Sequence, residues 1–491
     1  MSETGKDAGR MILRGAQATA AGFAGRLAAR LLFLFVAGRL YGADAFGAYV
    51  LGVAAVELAV GVGSLGMKKV IFTLLDAPEG PERRPRGHVL LDAALLVTLA
   101  SAAIAAAMMT AARLLPESFV PGRAEVALFW LAPMVAGQSL LDLFLAATRW
   151  RHAIRFEVVA RSLLEPWALL AAAAAAWALG MGEDGLLAGY WAGTLAALGY
   201  AIWGARTVFG GFGLARWRPR GAVLRSILRL STANTANDFL NTLYTRVDLW
   251  LVGLLLGARP AGIYGMARQI AVPIRQVRQS FDGLLIPLVA RTLSHRGSKG
   301  SGEALASATR LILAIQLPLL VALLAAGRPV LGWLGYGFDA AYWPLLALAA
   351  AEVIQAAFSI GDLVFVYMKP RLGLWLTLGG IVTGIVAALI LIPRWGLPGA
   401  ALSVLAAYGL RAAFRSYVLR ARFHLDVPAS HHAGPFVAAA VGACAALAAR
   451  SLGGDAAALA AGLAGYAAAL FLWLSLTGQR LSLTGFTAEP A

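Results

Sequence analysis

Arg268, Arg275 and Arg278 follow one another at spacings of seven and three, and Asp282 comes four residues later. All four fall on one face of a helix. Gln269, Gln276 and Gln279 form a second polar stripe beside them. The segment that carries them, 261–290, is otherwise largely apolar. A charged side chain near the centre of a membrane helix costs about 2.5–3.5 kcal/mol on insertion. A helix this polar on one side therefore faces water, an anionic ligand, or acidic partners such as Asp238 and Asp248. Arginine suits a phosphate ligand, because its planar fork takes two oxygens at once and its charge persists at any working pH.

The neighbouring segment 231–255 has a matching face. Asn234, Asp238, Asn241, Thr245 and Asp248 recur at spacings of four, three, four and three, with Arg246 off that face. Arg26 and Arg30 stand one turn apart in the first apolar segment, Glu57 in the second, Asp92 in the third, Gln138 and Asp142 in the fourth, and Glu352, Gln355 and Asp362 in the tenth. Arg161 and Glu165 form an i, i+4 pair that neutralises itself. The expected anion-binding set is Arg26, Arg30, Arg268, Arg275 and Arg278. The expected polar or ion-coupling set is Glu57, Asp142, Asn234, Asp238, Asn241, Asp248 and Asp282.

Other chemistry lacks its residues. Gly61-Val-Gly-Ser-Leu-Gly66 comes near a phosphate loop, but Met67 stands where lysine is needed, and no strand precedes it. His431 and His432 have no spaced acidic or cysteine partner, so no metal is expected. Cys444 is the only cysteine, which excludes an internal disulfide and a thiolate cluster. No nucleophile–base constellation is visible outside the apolar segments, so the chain is not expected to be an enzyme.

The elements that must position these residues are membrane helices. Hydrophobic residues make up 60% of the chain and charged ones 14%, and the mean hydropathy is +0.73. The apolar residues gather in runs of about 20, the length that crosses a hydrocarbon core of about 30 Å. Within lipid such runs must be helical. About fourteen spans are predicted, at 17–38, 45–67, 89–113, 125–147, 157–180, 185–208, 231–255, 261–290, 305–327, 343–367, 374–393, 397–417, 434–450 and 456–477. No cleavable signal peptide is evident at the N-terminus.

A net charge of +17 raises nucleic acid as a partner, but the placement of the charge excludes it. Basic residues crowd into alternate connections, as at Lys68-Lys69, Arg149 to Arg155, and Arg216 to Arg229. The opposite side holds only Arg39, Arg113, Arg123, Arg259, Arg328, Arg394 and Arg450. This asymmetry places both termini in the cytoplasm, with the basic connections against anionic headgroups.

The chain also repeats. Gly38-Arg-Leu-Tyr-Gly42-Ala-Asp-Ala-Phe-Gly47-Ala-Tyr49 is echoed by Gly253-Leu-Leu-Leu-Gly257-Ala-Arg-Pro-Ala-Gly262-Ile-Tyr264. Each stretch joins one apolar segment to the next. The repeat implies two related lobes, 1–215 with spans 1–6 and 216–425 with spans 7–12. Residues 426–491 add spans 13 and 14 without a repeat partner.

These windows carry a family resemblance. Gly38-Arg39-Leu40, Gly42, Phe46-Gly47-Ala48-Tyr49 and Leu65-Gly66 in the first lobe resemble the O-antigen and capsule flippases of polysaccharide biosynthesis. Asp248, Gly253, Gly257, Gly262-Ile263-Tyr264, Ala267 and Pro287 do so in the second. Those proteins belong to the multidrug/oligosaccharidyl-lipid/polysaccharide (MOP) superfamily. The chain departs from the pattern in lacking a proline between Leu230 and Asn237, and in having Tyr41 where leucine usually precedes the glycine. The resemblance implies an all-α, MATE-like integral membrane protein of the bacterial cytoplasmic membrane. It implies flipping of an undecaprenyl-pyrophosphate-linked oligosaccharide between leaflets by alternating access, without a bound cofactor and with protons or sodium as open choices for coupling. The lipid-linked oligosaccharide, membrane lipids and polysaccharide-assembly proteins are the implied partners. A cation-coupled multidrug exporter, a lipid II flippase and an integral-membrane glycan polymerase or ligase remain alternatives.

Overall fold

The computed structural model describes residues 25–76, 85–114, 123–295, 297–359, 365, 370–423 and 430–478, and every regular element among them is helical. Side chains at Asp282 to His295, among others, lie outside the described residues. So do Asp362, the N-terminal residues placed in the cytoplasm, and the connections 77–84 and 424–429.

The helices relevant to the site are α1 (25–36), α2 (Gly42–Gly63), α3 (Met67–Asp76), α4 (Arg86–Leu114), α5 (Ala124–Leu131), α6 (Met134–Trp150), α7 (Arg155–Val159), α8 (Glu165–Ala178), α9 (Gly185–Phe209), α10 (Gly221–Leu256), α11 (Ala258–His295), α12 (Gly297–Leu334) and α13 (Tyr342–Phe358). Two longer helices follow, α14 (Pro370–Phe423) and α15 (Ser430–Thr477). Five-residue π-helical turns lie at Ala37–Tyr41, between α1 and α2, and at Ala160–Leu164, between α7 and α8.

Among the described residues nine helices are long and apolar enough to cross a membrane, or ten if the pair α5 and α6, bent by 47°, is one span. That is fewer than the fourteen spans predicted. Two reasons are visible. The stretches Gly25–Asp76, Leu372–Arg422 and His432–Thr477 each run for 46 to 52 residues, although about 20 suffice for one crossing. Each contains a glycine with positive φ that turns the chain: Gly42, Gly396 or Gly454. Helix α11, with its arginines and glutamines, is not among the nine.

The chain divides into two compact units, residues 1–262 and 263–491. In the first, α3, α4, α6 and α9 close around a core that includes Met67, Ile71, Leu90, Val97, Leu141, Leu145, Phe156 and Ala201. Ile227 of α10 joins the same core. In the second, the C-terminal α15 packs on α12. Tyr466 donates its hydroxyl to the Ala314 carbonyl at 2.9 Å, and Ala325, Ala446 and Ala458 form a small buried contact. Small residues bring backbones together where lipid supplies no hydrophobic drive between helices.

The sequence repeat is a structural repeat. Gly42 has φ 81° and ψ 178°, and its counterpart Gly257 has φ 100° and ψ −179°. An L-residue is strained there, so each position calls for glycine. The two turns also meet. A Cβ on Gly47 would overlap the Ala258 carbonyl and stand 3.1 Å from the Gly262 nitrogen. A Cβ on Gly262 would overlap the Ala43 carbonyl and stand 2.8 Å from the Gly47 nitrogen. Ala43 and Ala258 are themselves counterparts, so the contact is two-fold symmetric.

Candidate functional site

From this glycine contact α2 and α10 run antiparallel along one seam. Leu51 packs on Gly253, where a Cβ would lie 2.6 Å from Leu51 Cδ2. Further along, Glu57 is ion-paired with Arg246, whose second nitrogen donates to Glu57 Oε1 at 2.8 Å. A Cβ on Gly61 would stand 3.1 Å from Phe239 Cα. At the far end the chain reverses at Leu65 (φ 51°) and Gly66 (φ 60°), pressed so close to α10 that a Cβ on Gly66 would lie 2.6 Å from Asn234 Cβ. From Gly47 to Gly63 the helix rises about 24 Å, most of the thickness of a hydrocarbon core of about 30 Å.

The turn at Gly66 aims two adjacent lysines in different directions. Lys69 Nζ reaches Asp238 on α10 at 2.9 Å. Lys68 Nζ reaches Asp142 on α6 at 2.9 Å. Asp142 is also ion-paired with Arg161. Arg161 binds Glu165 at 2.9 Å and the Gln138 side-chain oxygen at 3.0 Å. Gln138 in turn donates to Glu165 Oε1 at 3.0 Å and to Thr194 at 3.1 Å. Arg26 lies within electrostatic reach of Glu165 and Arg161. Asp142 and Glu165 are thus met by Lys68, Arg161 and the nearby Arg26. The polar atoms between them are hydrogen-bonded, which is what lets charge persist away from water.

In the second unit Arg275 of α11 binds Glu352 of α13 at 2.9 Å. Gln316 of α12, fully buried, donates to the Ile274 carbonyl at 2.7 Å. Arg268 is buried and Arg278 half-buried.

The structure therefore places Asp142 in a bonded network with Arg26 in electrostatic reach of it, and Glu57 and Asp238 on the α2–α10 seam. Asn234 packs at the seam's end. Asn241 is exposed and donates to the Asn237 carbonyl of its own helix at 2.9 Å. Asp248 is buried. Arg30 lies within electrostatic reach of the Tyr49 hydroxyl. Arg268, Arg275 and Arg278 belong to the other unit.

Four cationic participants are absent from the sequence-based set. Lys68 and Lys69 read as charges of a connection, yet the Leu65–Gly66 reversal folds them back onto α6 and α10. Arg246 lies off the polar face of its helix and is met by Glu57. Arg161 does pair with Glu165, but it also holds Asp142 and Gln138. The π-helical turn 160–164 is a structural signal that marks it, since such turns recur at functional positions.

The Lys69–Asp238 pair links α3 to α10 with side chains 54% and 16% exposed. Lys69→Asp is expected to loosen the seam and Lys69→Asp with Asp238→Lys to restore it. A coupling of about 1 kcal/mol should appear as about a fivefold change in cross-linking between cysteines placed across the seam in a Cys444→Ala background. Equal cross-linking in all variants would refute the link.

A chain of many long apolar helices, with ion-paired charges between them, is a multi-pass membrane protein. The fold agrees with known proteins. Lipid II flippase MurJ in an inward closed conformation superposes with a TM-score of 0.77 at 12% identity, over 94% of this chain and 100% of that one. An inward-facing multidrug resistance MATE family transporter of the MOP superfamily gives 0.64 at 15% identity, over 82% and 94%. A MOP superfamily transporter from Pyrococcus furiosus gives 0.51 at 15% identity, over 84% and 95%. Identities this low speak for the fold. No curated protein matches by sequence. The family described as polysaccharide biosynthesis protein matches residues 35–337, and the chain belongs to that family.

Proposed function

We propose that the protein flips an undecaprenyl-pyrophosphate-linked oligosaccharide from the cytoplasmic to the outer leaflet of a bacterial cytoplasmic membrane, for surface polysaccharide synthesis. The family match over 35–337 carries this reading. The chemistry of the spans supports it, because a pyrophosphate calls for arginine and the spans supply Arg26, Arg30, Arg268, Arg275 and Arg278. The polyprenyl tail stays in lipid, and the lobes 1–215 and 216–425 alternate in access about their shared symmetry. Acidic groups couple the cycle to protons or sodium. A monovalent ion moving with the potential contributes about 2.3 kcal/mol per 100 mV.

Deleting the gene is expected to remove a surface glycan and strand its lipid-linked precursor on the cytoplasmic leaflet. Normal glycan with altered drug resistance would refute the proposal. Failure of peptidoglycan synthesis, with lipid II stranded instead, would transfer the same chemistry to the second reading, a lipid II flippase.

Arg275 offers a sharper test. Arg275→Ala removes the fork and leaves Glu352 buried without its cation. Arg275→Lys keeps the charge. Transport is expected to fall about tenfold or more in the first variant and to be partly retained in the second. Arg275→Ala with Glu352→Gln separates the roles. Recovery of transport would reduce Arg275 to a partner for Glu352, and continued loss supports a ligand contact.

A further inference from the structure

Beside the α2–α10 seam lies a cavity of about 370 Å³, lined by Val62 and Leu65 on one side and by Leu228, Ser231, Thr235 and Phe239 of α10 on the other. It stands apart from the charged network around Arg161. Its walls are apolar save for hydroxyls. Thr235 spends its hydroxyl on the Ser231 carbonyl at 2.9 Å. Ser231 Oγ, in a residue only 1% exposed, has no hydrogen-bond partner among the described residues. A buried hydroxyl left in that state costs free energy that an acceptor in the cavity would recover.

The same face of α10 continues toward its N-terminus. Arg225 lies one turn before Leu228, at seven residues from Thr232, which also lines the cavity. Arg229 lies seven residues from Ala236, another lining residue. Both arginines are exposed, and neither has an ion pair among the described residues. Ile227, across the helix from both arginines and one turn before Ser231, is buried in the core of the unit, so the arginines point away from that core. From Leu228 to Phe239 the helix rises about 16 Å, half of a hydrocarbon core of about 30 Å. The groove therefore has the depth of one leaflet, with two cations at its headgroup end.

We propose that this groove is a binding site for one anionic phospholipid of the leaflet that adjoins the basic connection Gly210 to Gly221. The phosphate lies against Arg225 and Arg229, a glycerol ester carbonyl accepts from Ser231 Oγ, and an acyl chain fills the space between Val62, Leu65 and Phe239. Basic pockets between membrane helices hold anionic headgroups by the same balance of charge and apolar contact. The lipid touches both helices of the seam, so its occupancy bears on how α2 and α10 separate.

The full chain in nanodiscs of equal phosphatidylglycerol and phosphatidylcholine, released into detergent and weighed by native mass spectrometry, tests this. One retained phosphatidylglycerol per chain is expected. Its affinity should fall roughly thirtyfold in Arg225→Ala/Arg229→Ala and remain near the wild-type value in the double lysine variant. Ala236→Trp, which fills the groove from an exposed position, should displace the lipid without touching the arginines. It serves as the readout should the double alanine variant fail to fold. Equal retention of phosphatidylcholine, or unchanged retention in the alanine and tryptophan variants, overturns the proposal. Displacement of phosphatidylglycerol by equimolar undecaprenyl pyrophosphate also overturns it, by making the groove an entry point for a lipid-linked pyrophosphate.

Discussion

Arg161→Ala is expected to destabilise the first unit by about 3 kcal/mol and to abolish transport. The guanidinium stands between Asp142, Glu165 and Gln138, with side-chain exposures of 27%, 14% and 21% for Arg161, Asp142 and Glu165. Removing one member of a mostly buried ion network leaves the others charged and without their partner, which costs more than the network contributes against an apolar core. Asp142 would retain Lys68, but among the described residues Glu165 would keep the Gln138 hydrogen bond and the electrostatic pull of Arg26. The effect should therefore concentrate at Glu165. Adding Glu165→Leu to Arg161→Met should recover most of the stability, since an apolar pair of similar volume needs no partner. Whether transport recovers with it separates two roles. Stability with transport would make the network a packing device, whereas stability without transport would tie its charge to the cycle. Denaturant titration in detergent micelles reads the first quantity and a lipid-flipping assay in vesicles the second. A loss below about 0.5 kcal/mol in Arg161→Ala would show that the network is solvated after all.

What can be read in the sequence follows from what is local. Apolar runs of membrane length announce helices because the bilayer allows little else. The two glycine stretches announce equivalent hairpins because Gly42 and Gly257 must adopt the same left-handed turn. The network cannot be read so directly. Lys68 and Lys69 sit after an apolar segment, where basic residues ordinarily mark a connection. Only the reversal at Leu65 and Gly66 returns them to Asp142 and Asp238, and Leu65 is an unusual residue for positive φ. Helical spacing passes over Arg246 because periodicity compares residues on one helix. Glu57, its partner, is on another helix and nearly two hundred residues away. The number of spans is blurred for a different reason. Helix resumes directly after the turns at Gly396 and Gly454, so that two crossings run together as one element. The arginines of α11 meanwhile lower its hydropathy below that of an ordinary span.

The glycine contact carries the largest mechanical prediction. Gly47→Ala and Gly262→Ala should each block closure of the α2–α10 seam and reduce transport at least tenfold. The reason is steric and specific. The new methyl group at either position would meet a backbone carbonyl, Ala258 in one case and Ala43 in the other. A carbonyl fixed in a helix cannot swing aside as a side chain does, so the two backbones must separate or the neighbouring turns must distort. Gly61→Ala is a graded comparison, because its nearest atom, Phe239 Cα, would stand at 3.1 Å. The same substitution at Gly257 acts differently. No heavy atom lies within 4 Å of its added Cβ, but its φ of 100° is strained for alanine, at about 1–3 kcal/mol. Gly257→Ala should therefore lower stability while leaving the seam able to close. Cross-linking between cysteines at positions 51 and 253, with Cys444 replaced by alanine, distinguishes the two mechanisms. Cross-linking should fall in Gly47→Ala and Gly262→Ala and persist in Gly257→Ala. If it persists in all three, the repeat's glycines serve the turns alone. If it falls equally in the first two, the symmetry that the sequence repeats is a working contact, in which each half supplies the gap that the other half's backbone fills.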